Sequence, residues 1–225
     1  MLRQPFLLLI ALLALNVAAI RFFKDETLPF YQDVTSAAIH PDSSKIISYL
    51  QGRDWGSSGR FQIDRSIHVL YANASTPRKA FKPKSGYYAE ACDDITEVPL
   101  PVGGALEGCD SYDCTLCQNS DGDCHLIVVD TVNQILYESF STLVDPLTGE
   151  VSSLCIVEWK LCSDYTSSLR GAQCTSADAA GFPIAQLLFY PEEIEAGEID
   201  HAIRFILPNP TMREDFYVPP ATHAG

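Results

Sequence analysis

The distribution of cysteine is the feature that most limits how this chain folds. All eight cysteines of the 225-residue chain lie between Cys92 and Cys174. An even number of cysteines in an exported chain is typical of a disulfide framework, and spacing alone leaves about 105 pairings open for eight. We predict that all eight form disulfides and that those around residues 109–124 staple an irregular loop that has no core of its own. The eight are Cys92, Cys109, Cys114, Cys117, Cys124, Cys155, Cys162 and Cys174.

The spacing of four of these cysteines also permits a metal site. The run Cys109-x4-Cys114-x2-Cys117-x6-Cys124 is followed directly by His125, which suggests a zinc knuckle. Zinc–thiolate sites are uncommon in an oxidising compartment, and the second Cys-x2-Cys pair of such a site is missing. Disulfides are therefore the favoured interpretation, and metal binding is the alternative.

The amino terminus predicts export. A single positive charge at Arg3 precedes an apolar run from Phe6 to Leu15, and small residues follow up to Ala19. This is the pattern of a secretory signal peptide, so we expect a signal over residues 1–19 and a single secreted β-rich domain over residues 20–225. No second apolar run reaches the roughly 18 residues that a membrane-spanning helix needs.

Composition excludes several kinds of partner. Hydrophobic residues make up 47% of the chain, which rules out general disorder. There are 29 acidic residues against 15 basic ones, and the formal net charge is −14. A nucleic-acid surface or a polybasic membrane patch needs a basic stripe, and none is visible.

From residue 67 the apolar residues repeat with the period of two that is typical of β-strands. The clearest hairpin runs over residues 125–130 and 135–140. Short strands, Gly and Pro turns and little helical periodicity predict an all-β fold, an antiparallel β-sandwich or jelly roll with a disulfide-stapled loop and short helical turns. Further strands are predicted at 67–72, 154–161, 186–190 and 197–207, an edge strand or connector at 97–102, and helical segments at 43–50 and 191–195.

Two histidines lie on apolar faces of predicted strands. His201 shares its face with Ile199 and Ile203, and His125 shares one with Ile127. Such a histidine is either a core residue with satisfied hydrogen bonds or the polar floor of a pocket. If the two strands converge, the histidines can act as acid/base groups or bind a metal such as zinc or copper.

Residues 175–183 surround one carboxylate, Asp178, with small side chains. Small side chains let a ligand approach closely, and Asp178 is a candidate to orient His201 or to act as a general base. The alternative is a capped turn. The predicted site comprises His125, Asp178 and His201 as catalytic residues, Asp130, Arg204 and Trp55 as binding residues, and His223 as a possible third imidazole.

Other residues are candidates for sugar chemistry or modification. Glu138 and Glu158 are possible paired carboxylates of a glycoside hydrolase, with a solvated sheet face as the alternative. Trp55 and three tyrosines are candidates for stacking on sugar rings, with burial of Trp55 against its own loop as the alternative. Asn73 begins a glycosylation sequon, and residues 119–123 resemble a calcium loop superficially. The tyrosines are Tyr87, Tyr88 and Tyr112.

Two motifs, TSADAAG-x-P at residues 175–183 and GEI-x-HA-x-RF at residues 197–205, support a family resemblance. With residues 61–64 and 122–130 they resemble a widespread family of secreted, mostly uncharacterised bacterial proteins, some of which are fused to carbohydrate-binding modules. The resemblance implies an extracellular β-rich domain near polysaccharide, and it implies that this chain lacks a final strand or two. It carries no mechanism, so no catalytic role follows from it.

These observations predict a secreted, disulfide-stabilised protein that acts at an extracellular polysaccharide, by binding or by cleavage as a hydrolase or lyase. Two alternatives stay open. One is a non-catalytic structural or wall-associated module whose histidines are structural, and the other is a His-ligated metalloprotein.

Overall fold

Two four-stranded β-sheets form the body of the protein. A computed structural model describes residues 20–53, 67–118, 122–175, 177–207, 209–211, 213 and 215–224. The first sheet contains, in spatial order, β1 (Val69–Ala72), β4 (Leu126–Asp130), β5 (Ile135–Phe140) and β8 (Cys155–Lys160). The second sheet contains, in spatial order, β3 (Glu97–Pro99), β2 (Arg78–Pro83), β7 (Val151–Ser153) and β6 (Leu143–Val144).

The hairpin of β4 and β5 confirms the clearest prediction from the sequence. Its antiparallel register pairs Asp130 with Ile135. The Asp130 carboxylate accepts hydrogen bonds from the backbone N–H groups of Val132 and Asn133, both at 3.0 Å. An aspartate that binds the backbone two and three residues ahead fixes a turn, and this is how the hairpin is closed.

The first sheet is buried on both faces. All five residues of β4 are buried, because alternate side chains enter different core clusters. Ile127 and Trp159 face a cluster that includes residues 22–31, whereas Val128 and Ile156 face a cluster shared with the second sheet. The first sheet is therefore the middle layer, which explains why β4 is a continuous apolar run.

The sheets are mixed, which corrects the antiparallel pairing predicted for them, while the sandwich or jelly-roll arrangement stays a prediction. β1 runs parallel to β4 and β2 runs parallel to β7, while the other neighbouring strands are antiparallel. An alternating pattern predicts which residues are extended, but the direction of pairing depends on where the long connections take the chain. What the structure supports is a mostly β fold with few helices.

The strand predicted at 186–190 is absent from the described residues. Ile184–Leu187 instead form a single helical turn, α2, whose four residues are all buried. A short apolar run is compatible with either a buried strand or a buried helical turn, so periodicity could not decide between them.

The strand predicted at 197–207 also does not form. The backbone N–H groups of Ala202 and Arg204 bond to carbonyl groups of other segments, but no neighbouring strand continues the pairing in the described part of the chain. Phe205 and Ile206 stay exposed, at 61% and 73% of their surface. The segment has the alternating sequence of a strand, but it lacks a neighbouring strand whose side chains and backbone would stabilise it.

Three smaller predictions are confirmed. The helix α1 spans Ser43–Gln51, and the helix α3 spans Pro191–Ala196. Pro191 occupies the first position of α3, and Gly197 ends it in the left-handed conformation with φ 74°. β3 lies at a sheet edge, as its proline requires. None of the helices in the described ranges has the length and apolar character to cross a membrane.

Six of the eight cysteines form disulfides, which corrects the prediction that all eight are bonded. The pairs are Cys92–Cys155, Cys109–Cys114 and Cys117–Cys124. Cys162 is an exposed free thiol, and Cys174 is a partly buried one. Cys155 faces the core on β8, whereas Cys162 lies on the surface just beyond that strand, a difference that spacing alone does not specify.

Candidate functional site

His125 lies immediately before β4 and has both ring nitrogens engaged. Its Nδ1 lies 2.6 Å from Oε2 of Glu107, and its Nε2 lies 3.1 Å from the carbonyl oxygen of Ala177. The backbone N–H of His125 also donates to the Glu107 carboxylate. The residue is only 7% exposed. The cysteine-rich loop comprises residues 109–124, and Glu107 lies just before it. His125 therefore connects the start of this loop to the loop that carries Asp178.

The surroundings of His125 favour its charged form. Burial lowers the pKa of His125, but its hydrogen bond to Glu107 and the charges of Glu107 and Asp123 outweigh burial, and the pKa is raised above its ordinary value. Both ring nitrogens face oxygen acceptors, and an imidazolium has two N–H donors that satisfy both.

Asp178 is next to Ala177 in the chain and pairs with Arg204. Its Oδ2 accepts a hydrogen bond from Arg204 Nε at 2.9 Å, and its Oδ1 accepts one from the backbone N–H of Ala180 at 2.9 Å. Its backbone carbonyl accepts the N–H of Gly181 at 3.0 Å. Asp178 thus caps its own turn, and Arg204, predicted as a binding residue, is its ion-pair partner.

His201 lies in a second enclosed environment. Its Nε2 lies 3.1 Å from Oε1 of Glu193, and its Nδ1 lies 2.8 Å from the carbonyl oxygen of Ala202. The side chains of His201 and Glu193 are 0% and 1% exposed. Glu193 also accepts the backbone N–H of Tyr190 at the start of α3. The carboxylate that orients His201 is therefore Glu193.

The remaining predicted residues lie in different places. Asp130 ends β4 while His125 precedes it, so the two are about 16 Å apart along an extended strand, and Asp130 does not support a site at His125. His223 Nδ1 lies 3.0 Å from the carbonyl oxygen of Ala179, on the loop of Asp178. Trp55 lies outside the described residues.

Glu138 is a fully buried carboxylate at the centre of the first sheet. It accepts hydrogen bonds from Trp159 Nε1 at 3.2 Å and from the backbone N–H of Ala185 at 2.8 Å. Burial raises the pKa of Glu138 to about 7, against the lowering effect of the N–H groups of Ala185 and Ile184. This carboxylate holds α2 on the sheet.

Glu138 and Glu158 are not a catalytic pair. Glu138 pairs with Val157 across β5 and β8, while Glu158 pairs with Tyr137. Successive residues of a strand point to opposite faces, so the two carboxylates lie on opposite sides of the first sheet. Both cannot contact the same glycosidic bond.

An open cleft lies at the edge of the second sheet, beside the cysteine-rich loop. Its volume is about 300 Å³. Its polar lining residues include Tyr112 and Gln118 from the cysteine-rich loop and Asp145 and Glu150 from the region of β6 and β7. Its remaining lining residues are Cys114, Leu143, Val144, Pro146 and Ser152. A second cleft of similar volume borders α3, but Glu193 within it is already bonded to His201.

Tyr112 is held firmly in the first cleft. Its hydroxyl donates to the carbonyl oxygen of Pro101 at 2.7 Å. Gly104 allows this approach, because a Cβ at that position would collide with the Tyr112 hydroxyl and with Leu70. Of the predicted sugar-stacking residues that the structure describes, Tyr112 is the one that lines this cleft.

The structure also describes two other aromatic residues that were predicted to stack on sugars, and the asparagine of the glycosylation sequon. Tyr87 is partly buried and donates to the carbonyl oxygen of Asp93, whereas Tyr88 is 51% exposed. Asn73 is exposed in a turn. Residues 119–121 of the calcium-like segment lie outside the described residues.

The histidines do not gather into a metal site in the described part of the chain. There, the one group of at least three His, Cys, Asp or Glu side chains close enough to hold an ion is Cys109, Cys114 and Cys117. His125 and His201 instead each bind one glutamate and one carbonyl oxygen.

Sequence reasoning missed the partners of the buried polar groups. Glu107 and Glu193, which bind the two histidines, were not predicted, because acids of this kind are ordinary surface residues in most sequences. One buried carboxylate does have a signal in the sequence. Glu138 lies in a largely apolar strand, where a charged side chain needs hydrogen-bond partners.

Comparisons with family models, with curated proteins and with solved structures gave no match to this chain. The family resemblance of the TSADAAG-x-P and GEI-x-HA-x-RF motifs therefore stays a prediction. The fold and its sites define a β-rich, disulfide-bonded protein with two enclosed His–Glu pairs and an open acidic cleft.

Proposed function

We propose that this protein is a secreted module that binds an extracellular polysaccharide at the cleft of Tyr112, and that its histidines are structural. The observation that carries the proposal is a contrast between two kinds of site. His125 and His201 are buried, with both nitrogens of each ring hydrogen-bonded. The cleft of Tyr112 is open, and the carboxylate of Glu150, which lines it, has no side-chain partner within the described residues.

The chemistry of the cleft suits a sugar. An aromatic ring offers an apolar face for the C–H groups of a pyranose, and carboxylates accept hydrogen bonds from hydroxyl groups. Glu150 has no side-chain hydrogen bond or ion pair within the described residues, so its carboxylate is available to a ligand. Gln118 adds an amide that both donates and accepts.

Binding is favoured over cleavage because the acid/base candidates are not accessible. A general acid must come within about 2.6–3.2 Å of the atom that it protonates. Glu138 has a raised pKa of the kind that general acids need, but it is 0% exposed. His125, at 7% exposed, is covered by the carbonyl of Ala177.

The disulfides support an extracellular site of action. Structural disulfides persist in oxidising compartments, and three are present here. They agree with export by the signal peptide predicted over residues 1–19.

The test is depletion of the oxidised protein from solution by a panel of insoluble wall and storage polysaccharides. Soluble products are measured by mass spectrometry in the same samples. We expect depletion by at least one polysaccharide, with no released oligosaccharide. Tyr112→Ala and Glu150→Gln should each weaken retention about tenfold, which corresponds to the loss of one stacking contact or one charged hydrogen bond.

The matched control is Tyr88→Ala, which removes an exposed tyrosine outside the cleft and should leave retention unchanged. Depletion by no polysaccharide would overturn the proposal. Released oligosaccharides would make the protein an enzyme, and equal retention of Tyr112→Ala and the unmodified protein would move the site elsewhere.

A further inference from the structure

We propose that the sulfurs of Cys109, Cys114, Cys117 and Cys124 form a redox-dependent metal site that binds a zinc ion as thiolates when both disulfides are reduced. The inference is independent of polysaccharide binding, which belongs to the oxidised protein. The cysteine-rich loop would then be cross-linked by two disulfides when it is oxidised and by a metal ion when it is reduced.

The sulfur positions support this site. The Sγ atoms of Cys109, Cys114 and Cys117 all lie within 4.8 Å of one another. Cys124 Sγ lies outside that group of three but is bonded to one of its members, Cys117 Sγ, at 2.03 Å. A tetrahedral zinc ion with Zn–S bonds of about 2.3 Å places its sulfurs roughly 3.8 Å apart. The sulfurs of the Cys117–Cys124 disulfide must separate by about 2 Å to reach this spacing, and side-chain rotation supplies a movement of that size.

Contacts other than the disulfides hold the loop in place. Cys114, Cys117 and Cys124 are 3%, 1% and 3% exposed and pack in the core cluster shared by the two sheets. The carbonyl oxygen of Cys124 accepts the N–H of Thr142 at 2.8 Å. Burial and backbone hydrogen bonds remain after reduction, so the four thiols stay close to one another.

A glycine shapes the second half of the loop. A Cβ on Gly122 would lie 2.5 Å from the carbonyl oxygen of Cys117, so only glycine permits this close approach of the two backbones. The approach brings the two ends of the loop together, and with them Cys117 and Cys124.

The charge of this region favours a cation. No lysine or arginine occurs between Lys84 and Lys160, while acidic residues are frequent there. Asp110, Asp113 and Asp123 lie within or beside the loop. A negative potential raises the local concentration of cations, and a bound metal then displaces the protons of the thiols.

The cleft of Tyr112 provides a path to the sulfurs. Cys114 is one of the residues that line it. Cys114 itself is 3% exposed, so a small dithiol and a metal ion reach the Cys109–Cys114 disulfide at Cys109, which is partly exposed, without unfolding of the sheets.

The chemistry balances with a dithiol as reductant. Two dithiol molecules reduce the two protein disulfides, so that two S–S bonds break in the protein and two form in the oxidised dithiols. Four electrons and four protons pass to the protein and yield four thiols. Zinc then replaces the four protons, which are released to solvent. A disulfide oxidant reverses the process and releases the metal.

The test uses cobalt(II) as a spectroscopic probe for zinc, with the full chain reduced under anaerobic conditions. We expect thiolate-to-cobalt charge-transfer bands with about one equivalent of metal per chain, their displacement by zinc, and native near-UV circular dichroism. The oxidised protein should give no such bands. The double variant C109S/C114S should lose at least tenfold in cobalt affinity.

The matched control is C162S/C174S, which removes the two free thiols and should bind cobalt as the unmodified chain does. Circular dichroism of the oxidised C109S/C114S variant separates loss of ligands from loss of the fold. Absent bands in the reduced protein would overturn the inference, and so would equal cobalt binding by C109S/C114S or binding that accompanies unfolding. Polysaccharide retention by the oxidised protein is a separate result, so the two proposals fail independently.

Discussion

Glu138 joins three parts of the protein that are far apart in sequence. It stands on β5, it accepts the indole N–H of Trp159 on β8, and it accepts the backbone N–H of Ala185 in α2. Removing such an acceptor leaves buried N–H donors without a partner, which costs about 1–3 kcal/mol for each donor.

We predict that Glu138→Leu lowers the free energy of unfolding by about 2–5 kcal/mol, because two buried donors lose their acceptor. Chemical denaturation of the oxidised protein measures the change. The control is Glu158→Leu, which removes a partly exposed side chain on the opposite side of the same sheet and for which we expect less than about 1 kcal/mol. Similar losses in the two variants would contradict this assignment.

Stability should fall as the pH rises through neutrality. The pKa of Glu138 is raised to about 7, so its contribution to stability is complete below the pKa of the unfolded chain, near 4.5, and is lost as the pH rises through 7. The pKa of His125 is also raised, so its contribution is complete below about 6.5 and is lost as the pH rises through the higher pKa of the folded protein. Both groups act in the same direction.

We therefore expect a larger free energy of unfolding at about pH 5 than at about pH 8, by a few kcal/mol. Denaturation curves at the two pH values provide the measurement. Glu107→Gln removes the carboxylate that raises the pKa of His125, so it should reduce the difference. A protein that is equally stable at both pH values, or more stable at about pH 8, would contradict the account.

At the scale of single residues, the sequence predicts on which face of a strand a side chain lies better than it predicts which residue that side chain contacts. The apolar face of His125 follows from the local pattern, whereas Asp178, a candidate to orient His201, pairs with Arg204 instead. Glu107 lies 18 residues before His125, and the contact depends on how the cysteine-rich loop folds back. Strand periodicity carries no information on such a loop.

At the scale of elements, the loop of Asp178 is held by the carboxyl-terminal segment. Thr222 donates from its backbone N–H to the carbonyl of Ala180 and from its hydroxyl to the carbonyl of Cys174. Gly181, the residue after Ala180, has φ 85°. A Cβ at this position would collide with the Thr222 hydroxyl and would lie 3.0 Å from the Cys174 carbonyl oxygen.

We predict that Gly181→Ala destabilises the protein by about 2–4 kcal/mol, since backbone strain and steric collision add. Gly197→Ala is the matched control, because Gly197 also has a positive φ but nothing lies within 4 Å of its added Cβ. That variant should cost about 1 kcal/mol, for strain alone. Thermal or chemical denaturation compares the two, and equal losses would refute the packing argument.

The sequence predicts a helix or a hairpin correctly where residues within the element itself determine where it begins, turns or ends. Pro191 and Gly197 mark α3, and the alternation around the turn after Asp130 marks the β4–β5 hairpin. The parallel pairs and the fate of residues 197–207 depend on distant partners. A period of two shows that a segment suits a strand, but not that a neighbour exists.

For the whole molecule, the disulfides divide the cysteines into a bonded set and two free thiols. We predict two reactive thiols per chain in the native, unreduced protein, with Cys162 reacting fast and the partly buried Cys174 more slowly. Titration with a thiol-specific chromogenic reagent counts them, and Cys162→Ser should remove the fast phase. A count of zero would show that the two are joined in a fourth disulfide.

The most direct test of the whole account is to locate a bound sugar. An oligosaccharide from a polysaccharide that retains the protein is titrated into isotopically labelled, oxidised protein, and amide chemical shifts are followed by NMR. We predict shifts at Tyr112, Gln118 and residues 145–152, with His125 and His201 unaffected. Shifts centred on His125, Asp178 or His201, or no shifts at the cleft, would contradict the claim that the histidines are structural and the cleft is the binding site.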